Sequence, residues 1–362
     1  MGGRILEQIV KPLLLWYDGH ARVLPWREDN SPYRVWVSEI MLQQTRVEAV
    51  KPFFERFVRS LPDVQALAEC PEDRLLKLWE GLGYYNRARN MQKAARIIVQ
   101  EYGGEFPADY ETLLSLPGIG HYTAGAIGSI AFGIRMPAVD GNVLRVLSRV
   151  KASYEDILRQ SVKTAMEQEV QKIIPADRAG DFNQALIEVG AVVCVPNGRA
   201  KCKECPLAFC CQAKAQNIVE ELPKKKAKKK RRMEDKTVLV LREGSRVAIR
   251  KRPSEGLLAG LYELPNLEGH LSEDEVLERI RGWGLSPIRI LPLAGAKHIF
   301  SHVEWRMTGY AVSLEEAENM DQNGMFFIEA KETEAKYPIP AAFAAYAHYM
   351  DIILGQEKYE GR

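Results

Sequence analysis

Between Leu116 and Asn142 the chain reads Leu-Pro-Gly-Ile-Gly-His-Tyr-Thr-Ala-Gly-Ala-Ile, then an apolar stretch, then Val-Asp-Gly-Asn. Pro117, Gly118 and Gly120 allow a tight turn between two helices. Such a turn aims backbone N–H groups outward at a helix start, where a phosphate is readily held. Asp140 follows Gly120 by twenty residues, which places a carboxylate past the second helix at the mouth of the same turn. A held nucleic-acid backbone with a carboxylate facing its sugar points to chemistry at a nucleotide.

With 362 residues, 46% hydrophobic and 27% charged, the chain is long enough for two domains, each with its own core. No apolar run reaches the roughly 20 residues that span a bilayer, and Arg4, Glu7 and Lys11 interrupt the first turns of the chain. The expectation is a protein of the reducing cytoplasm associated with the nucleoid, with no membrane contact. There six cysteines stay as thiols, and a cluster of them suggests a metal. The net charge is +2, yet Lys224 to Arg232 alone carries eight basic residues, so the rest of the chain is net acidic. Any nucleic-acid contact must therefore come from local patches and helix ends.

Residues 1–222 show helical periodicity broken by turn signals such as Ser31-Pro32, Leu61-Pro62, Gly81 to Gly83 and Gly103-Gly104. A basic linker over 223–236 reads as a solvated tether, with DNA phosphate contact as a second role. Residues 237–362 read as an α+β domain. Its strands are expected over Thr237–Leu241, Arg246–Lys251, Ile288–Leu293 and Trp305–Val312, and its helices over Glu273–Arg281 and Ala341–Leu354.

Cys194, Cys202, Cys205 and Cys211 fall within 18 residues, with Cys210 beside the last. One zinc ion would accept four thiolates, but only Cys202 and Cys205 have the short spacing of a zinc hairpin. Irregular loops around a compact body suit a [4Fe-4S] cluster better, and packing of plain thiols is the third reading. Cys210 competes with Cys211 for the last ligand position. Arg199, Lys201 and Lys203 in the same loop read either as a solvated surface or as a phosphate clamp.

Taken together and in order, several segments resemble the endonuclease III-type, helix-hairpin-helix DNA glycosylases, and within them the adenine-removing branch. They are Leu24-Pro25-Trp26-Arg27, Trp36 to Thr45, Gly81 to Arg89, the turn at Leu116 to Tyr122, Val139 to Asn142, Phe182 to Leu186, and the cysteines. The resemblance implies an all-α helix-hairpin-helix domain with an iron–sulfur loop, followed by an α+β Nudix-like domain. It implies a [4Fe-4S] cluster on Cys194, Cys202, Cys205 and Cys211. The implied substrate is double-stranded DNA carrying adenine opposite 8-oxoguanine or guanine, bound by a monomer, with Gly118 and Gly120 on the DNA backbone. Relatives that also cut the strand place a lysine nucleophile where this chain has Tyr122, so base removal without strand cleavage follows. A glycosylase that is also an abasic-site lyase is the competing reading.

Cleaving the bond from adenine N9 to C1′ calls for a proton donor at the base and negative charge at the sugar, as in glycoside hydrolysis. By the resemblance Glu39, among Trp36, Val37, Ile40 and Met41, is the acid for adenine N7. Its apolar setting should raise its pKa. Asp140 is expected to stay ionised and stabilise the cation, directly or through a transient adduct, so the two pKa values are pushed apart. Tyr122 and Asn142 are expected to orient Asp140. Without the resemblance Glu39 reads as a helix carboxylate paired with an arginine, Asp140 as a helix N-cap and Tyr122 as packing.

The implied adenine pocket uses Arg22, Trp26, Arg27, Leu42, Gln184 and Glu188, the last two sharing a helix face. Gln44, Thr45, Leu82 and Tyr84 match residues that contact the opposite base, Tyr84 as a wedge between base steps. Phe300, Ser301 and His302 match a loop that reads 8-oxoguanine. In the second domain, setting Gly260 at the start of a Nudix box puts Asn266 where a glutamate is needed and leaves the helix as Asp274-Glu275-Val276-Leu277-Glu278-Arg279. Too few carboxylates remain to hold magnesium, so this domain should bind without hydrolysing. A catalytically silent DNA-binding module would keep the turn and the cysteines but not both Glu39 and Asp140.

Overall fold

The computed structural model describes residues 2–226, 230–315 and 324–354. The first part of the chain is helical: α1 Gly2–His20, α2 Pro32–Leu42, α3 Val47–Ser60, α4 Val64–Glu69, α5 Glu72–Leu78, α6 Asn86–Tyr102, α7 Tyr110–Ser115, α8 His121–Phe132, α9 Gly141–Val150, α10 Gln160–Ile173, α11 Ala179–Val192 and α12 Gln212–Ala215. The second part contains β1 Arg232–Glu243, β2 Arg246–Lys251, β3 Tyr262–Glu263, β4 Asn266–Glu268, α13 Glu273–Gly282, β5 Pro287–Ile299, β6 Val303–Leu314, β7 Met325–Glu329, α14 Ala330–Lys336 and α15 Ala344–Ala347. No described helix is long and apolar enough to cross a membrane.

The chain forms two compact units that are not contiguous in sequence. Met1–Glu69 with Asn90–Lys228 make one, and Cys70–Arg89 with Lys229–Arg362 the other. This differs from the expected simple division at 222. The reason lies in contacts of Cys70–Arg89: Glu80 accepts the Ile339 N–H at 2.9 Å, Lys251 pairs with Asp73 at 3.1 Å, and Arg89 donates to the Ala259 carbonyl at 2.7 Å.

In the first unit, Val143, Val146, Leu147 and Val150 of α9 share one core with Leu6, Ile9 and Leu13 of α1, Val162, Met166 and Val170 of α10, and Phe182, Leu186 and Val189 of α11. Each such side chain contributes about 1.5–3 kcal/mol by leaving water. The turn between α7 and α8 needs Gly118, whose φ is +78° and whose missing Cβ would lie 2.7 Å from that of Asn90. Asp109 caps α7 by accepting the Thr112 N–H. Gly133, left-handed at +67°, closes α8.

In the second unit the sheet order is β3-β2-β1-β6-β5, with β4 on β1 and β7 on β2. β1 and β6 are parallel, in register from Arg232 opposite Val303 to Arg242 opposite Ser313. Alternation along β1 sends Val238 and Val240 to one face and Leu239 and Leu241 to the other. The first face packs on Phe343, Tyr346 and Met350, the second on Val276 and Ile280 of α13.

Two expectations are overturned in this region. The basic linker is not a tether over 223–236, because β1 already begins at Arg232, whose N–H donates to the His302 carbonyl. At its start Lys224 bridges to Asp156, and the Lys224 carbonyl accepts the Ile157 N–H at 3.2 Å; residues 227–229 of the linker lie outside the described residues. The segment Ala341–Leu354 is not one helix. It breaks into a 3-10 turn, α15 and a second 3-10 turn ending at Asp351, left-handed at φ +58°. β3, β4 and β7 are too short for alternation to reveal them.

Candidate active site

α2 starts at Pro32, a residue whose fixed φ and missing N–H suit a first helical position, and buries Trp36, Val37, Ile40 and Met41. That burial carries Glu39 inward, leaving it 8% exposed. Asp140 ends the extended segment before α9 and caps it, its Oδ1 accepting the N–H of Asn142 and of Val143, both at 2.8 Å. Glu39, Asp140, Tyr122 and Asn142 line one cavity of about 700 Å³, within the range of about 300–1,000 Å³ usual for small-molecule sites.

The Tyr122 hydroxyl donates to Oε2 of Glu39. It was expected to orient Asp140. That role falls to Asn142 alone, whose Nδ2 donates to Asp140 Oδ2 at 2.7 Å. α8 carries Tyr122 against α2 rather than toward the cap of α9, and a hydroxyl can donate only one proton.

Burial pushes the Glu39 carboxyl up from 4.5 to about 7. The Tyr122 hydrogen bond and Arg27 pull it down, whereas the nearby charge of Asp140 pushes it further up. Asp140 rises as well, because burial outweighs the donors from Val143 and Asn142 and the charge of Arg145. The two carboxyls are thus both raised. They differ in their partners: Asp140 holds three N–H donors that favour the ionised form, Glu39 a single hydroxyl.

Trp26, Arg22, Arg27, Leu42 and Gln184 also line the cavity, as do Gln44 and Thr45. Trp26 stands edge-on to Phe54 at 5.5 Å between ring centres. Gln44 has φ +62°, a strained value for a residue with a side chain. Glu188 is not on the cavity wall. It is fully buried behind it and holds Arg22 at 2.6 Å and Arg27 at 2.8 Å. Burial raises its carboxyl, but the two arginines more than offset this and hold it below the ordinary value. A carboxylate spent on two guanidinium groups has no oxygen to offer a base, so the expected direct contact is corrected.

Gly118 and Gly120 are both exposed in the turn before α8. In the second unit, Leu82 is only 5% exposed. Tyr84 is 48% exposed and left-handed at φ +48°. Its turn is braced from below: Arg87 donates to the carbonyls of Leu82 at 3.0 Å and Gly83 at 3.1 Å, and Trp79 Nε1 donates to the latter at 3.1 Å.

Phe300, Ser301 and His302 form the tight turn between β5 and β6, closed by the Phe300 N–H on the Val303 carbonyl at 2.8 Å. Ser301 and His302 are exposed. Phe300 packs edge-on against Trp305, 5.0 Å between centres, which makes it the anchor of the turn.

Cys194, Cys202, Cys205 and Cys211 share the wall of a second, apolar cavity, which Cys210 does not reach. The Cys210 thiol points to the Leu207 carbonyl at 3.5 Å. Burial pushes the Cys205 thiol up to about 12, and the other three cavity sulfurs add to that. Four sulfurs on one cavity wall are a donor set that a cationic centre would satisfy, and Arg149 already donates to Cys194 Sγ at 3.1 Å. Among the described residues no three His, Cys, Asp or Glu side chains converge as a single-ion site. Arg199, Lys201 and Lys203 are exposed on the same loop.

In the Nudix-like box, Gly260 is left-handed at φ +66° and Asn266 is buried, donating to Glu263 at 2.9 Å. Glu263 is itself paired with Arg250 and Arg252. Glu275 closes a capping box with Ser272. The carboxylates nearest the box are therefore engaged in structure.

Two buried side chains escaped sequence reading. Arg145, one helical turn after Asn142, donates to its Oδ1 at 2.8 Å, to the Gly190 carbonyl at 2.7 Å and to the Cys194 carbonyl at 2.8 Å. Asn183 accepts the Ala138 N–H at 3.0 Å and donates to Ser129 and Met136, fixing the segment that leads into Asp140. A charged residue on the apolar face of α9 was the available signal for Arg145. Lys163 also lines the main cavity, without any motif to mark it, as does Lys225 from the start of the basic run.

Residues 37–175 match the family model described as HhH-GPD superfamily base excision DNA repair protein, and residues 237–349 match the NUDIX domain. The chain is 36% identical to the human adenine DNA glycosylase over 363 residues, covering 84% of this chain and 66% of that protein. It is 36% identical to an adenine DNA glycosylase of Buchnera aphidicola over 293 residues, covering 80% and 82%. Among solved structures, a thermostable thymine-DNA glycosylase superposes with a TM-score of 0.52 at 27% identity, covering 59% of this chain and 98% of that one. An endonuclease III in a non-covalent DNA complex superposes with a TM-score of 0.51 at 25% identity, covering 60% and 98%.

Proposed function

The chain belongs to the adenine DNA glycosylase family of base-excision repair enzymes, and from that premise we propose that it flips adenine out of duplex DNA and hydrolyses its glycosidic bond without cutting the strand. The observation that carries this reading is the shared cavity of Glu39 and Asp140, with the Tyr122 hydroxyl on Glu39. A carboxyl raised to about 7 is protonated at neutral pH often enough to act as a general acid.

Extrusion costs a few kcal/mol of unstacking, which contacts with the cavity wall must return. Gln184 and the arginines Arg22 and Arg27 offer donors there, and the face of Trp26 offers stacking. Glu39 delivers its proton to N7, the N9–C1′ bond breaks with its electron pair passing to the base, and the sugar becomes an oxocarbenium ion. Ionised Asp140, held by Asn142 and the start of α9, stabilises that cation until water adds at C1′ and gives up a proton. Tyr122 stands where a lyase would need an amine, so no Schiff base forms with the abasic sugar.

The substrate adenine is undamaged, so selection must come from its partner. Ser301 and His302, exposed on a turn anchored by Phe300, suit the altered N7–H and O8 edge of 8-oxoguanine, and Tyr84 suits insertion between base steps. Gly118 and Gly120 with the first N–H groups of α8 hold a phosphate. Cys194, Cys202, Cys205 and Cys211 would hold a [4Fe-4S] cluster. When bound, it supplies a rigid fastening of the loop that presents Arg199, Lys201 and Lys203 to the DNA backbone.

A duplex with a single adenine opposite 8-oxoguanine, treated with enzyme and divided into samples with and without hot alkali, tests the reading. Strand breaks that appear only after alkali are expected. Breaks without alkali favour the lyase, and release of 8-oxoguanine or of no base overturns the proposal.

A further inference from the structure

Glu188 has no exposed surface and no place on the cavity wall, yet both its oxygens are fully engaged. Oε1 accepts from the backbone N–H of Arg22 at 3.1 Å and from its Nε at 2.6 Å. Oε2 accepts from Arg22 Nη2 at 3.1 Å and from Arg27 Nη2 at 2.8 Å. Arg27 also donates to the Arg22 carbonyl at 3.1 Å and lies over the Tyr17 ring, 5.7 Å from its centre. Both arginines lie on the cavity wall beside the catalytic pair.

A fully buried carboxylate is costly unless it is paired, and truncating one partner of such a pair leaves the other charge uncompensated. The arrangement therefore fixes two long cationic side chains in single rotamers and cancels part of their charge. Arg27 is also the cation that acts on Glu39, alongside Tyr122 from α8 and Asp140 from the start of α9. Lys163 of α10 and Lys225 complete the charged groups of that wall.

We infer that Glu188 is a positioning residue for adenine release: it clamps Arg22 and Arg27 on the cavity wall and tempers the charge that Arg27 places on Glu39. The inference rests on the reading of Glu39 as the general acid. It assigns Glu188 no contact with the base. Its consequence is that the clamp governs two things at once, the geometry offered to the extruded base and the pH at which the acid loses its proton.

The test is Glu188→Gln in the full chain, with single-turnover adenine release measured from pH 5.5 to 9 and duplex affinity measured separately. Glutamine keeps the shape and one acceptor, so Arg27 stays beside Glu39, held by the Arg22 carbonyl and Tyr17, but the two guanidinium groups lose their fixed rotamers and the Arg27 charge is no longer countered. Glu39 then loses its proton at a lower pH. The alkaline fall of the rate should move down by roughly half a pH unit or more, and the plateau rate should drop at least about tenfold, with affinity for the mismatched duplex changed less than about threefold. Glu188→Asp, which keeps the charge on a shorter arm, should restore the wild-type position of the alkaline limb while the plateau stays low.

A purely structural Glu188 would lower the melting temperature and the active fraction but leave the rate per active site and its pH profile unchanged, and that result overturns the inference. Glu39→Gln serves as the reference. If it retains activity, the assignment of the acid fails. If it is inactive while Glu188→Gln keeps the wild-type profile, only the clamp fails.

Discussion

Tyr122 donates its hydroxyl proton to Oε2 of Glu39 rather than to Asp140. The acceptor oxygen is thereby occupied, and the other carboxyl oxygen is the one left to carry a proton toward the cavity. Tyr122→Phe removes the hydroxyl that donates to Glu39 and should slow adenine release roughly tenfold with duplex binding unchanged. The same bond lowers the Glu39 pKa, so its loss raises it, and the alkaline limb of the rate should move to higher pH. A rate profile in Tyr122→Phe identical to wild type would show that the contact is packing.

The raised pKa of Glu39 makes a statement about stability. Its carboxyl holds its proton more tightly in the folded state, near 7, than in the unfolded chain, near 4.5. Stability from this group is complete below 4.5, falls as the pH rises between the two values, and above 7 the full cost of burying the charge is present. That cost is on the order of 3 kcal/mol. Glu39→Gln, expected to lose adenine release by at least about 100-fold, should resist urea better than wild type at pH 8. The difference should vanish near pH 4.5, and a constant offset across that range would contradict the assignment.

Asp140 has two duties, and they separate by substitution. Asparagine serves as an N-cap almost as well as aspartate, whereas alanine costs about 1 kcal/mol. Asp140→Asn should fold with a midpoint close to wild type and release no adenine, because an amide cannot stabilise the sugar cation. Measurable turnover in a well-folded Asp140→Asn would remove the carboxylate from the mechanism.

The turn at Phe300 to His302 divides in the same way. Ser301→Ala with His302→Ala leaves the anchor intact and should reduce the preference for 8-oxoguanine over guanine opposite adenine more than it reduces the release rate. Phe300→Ala, which strips the ring from Trp305, should lower stability, by about 2–4 kcal/mol if the cavity does not collapse. An unchanged preference ratio in the double variant would exclude the turn from recognition.

Cys210 and Cys211 are neighbours in sequence, but only the Cys211 side chain lines the cavity with the other three sulfurs. Cys211→Ser should bleach the visible absorbance expected of an iron–sulfur protein, and Cys210→Ala should keep it, as read from absorbance and iron content of the purified proteins. Bleaching by the second substitution alone would reverse the ligand assignment.

How much of this was legible in the sequence follows from how local each signal is. The turn at Pro117 to Gly120, the cap at Asp140, the helical periodicity and the cysteine spacing are set by neighbours in the chain, and each stands where the sequence placed it. α13 and β2 likewise match their expected spans because capping residues and alternation act over a few residues. Partnerships across the fold were not legible. Whether Tyr122 meets Glu39 or Asp140, whether Glu188 faces a base or two arginines, and whether Phe300 and Leu82 are presented or buried depend on which helix or strand packs beside them.

The chemistry available is written along the chain: two carboxyls, a turn for a phosphate, a tyrosine in place of an amine, and four thiols close together. How those groups are paired is settled by the fold, because a hydrogen-bond partner is fixed by packing between residues far apart in the chain, such as Glu188 and Arg22, separated by 166 positions. Burial likewise belongs to the whole fold, and it is burial that lifts Glu39 from an ordinary carboxylate toward neutrality.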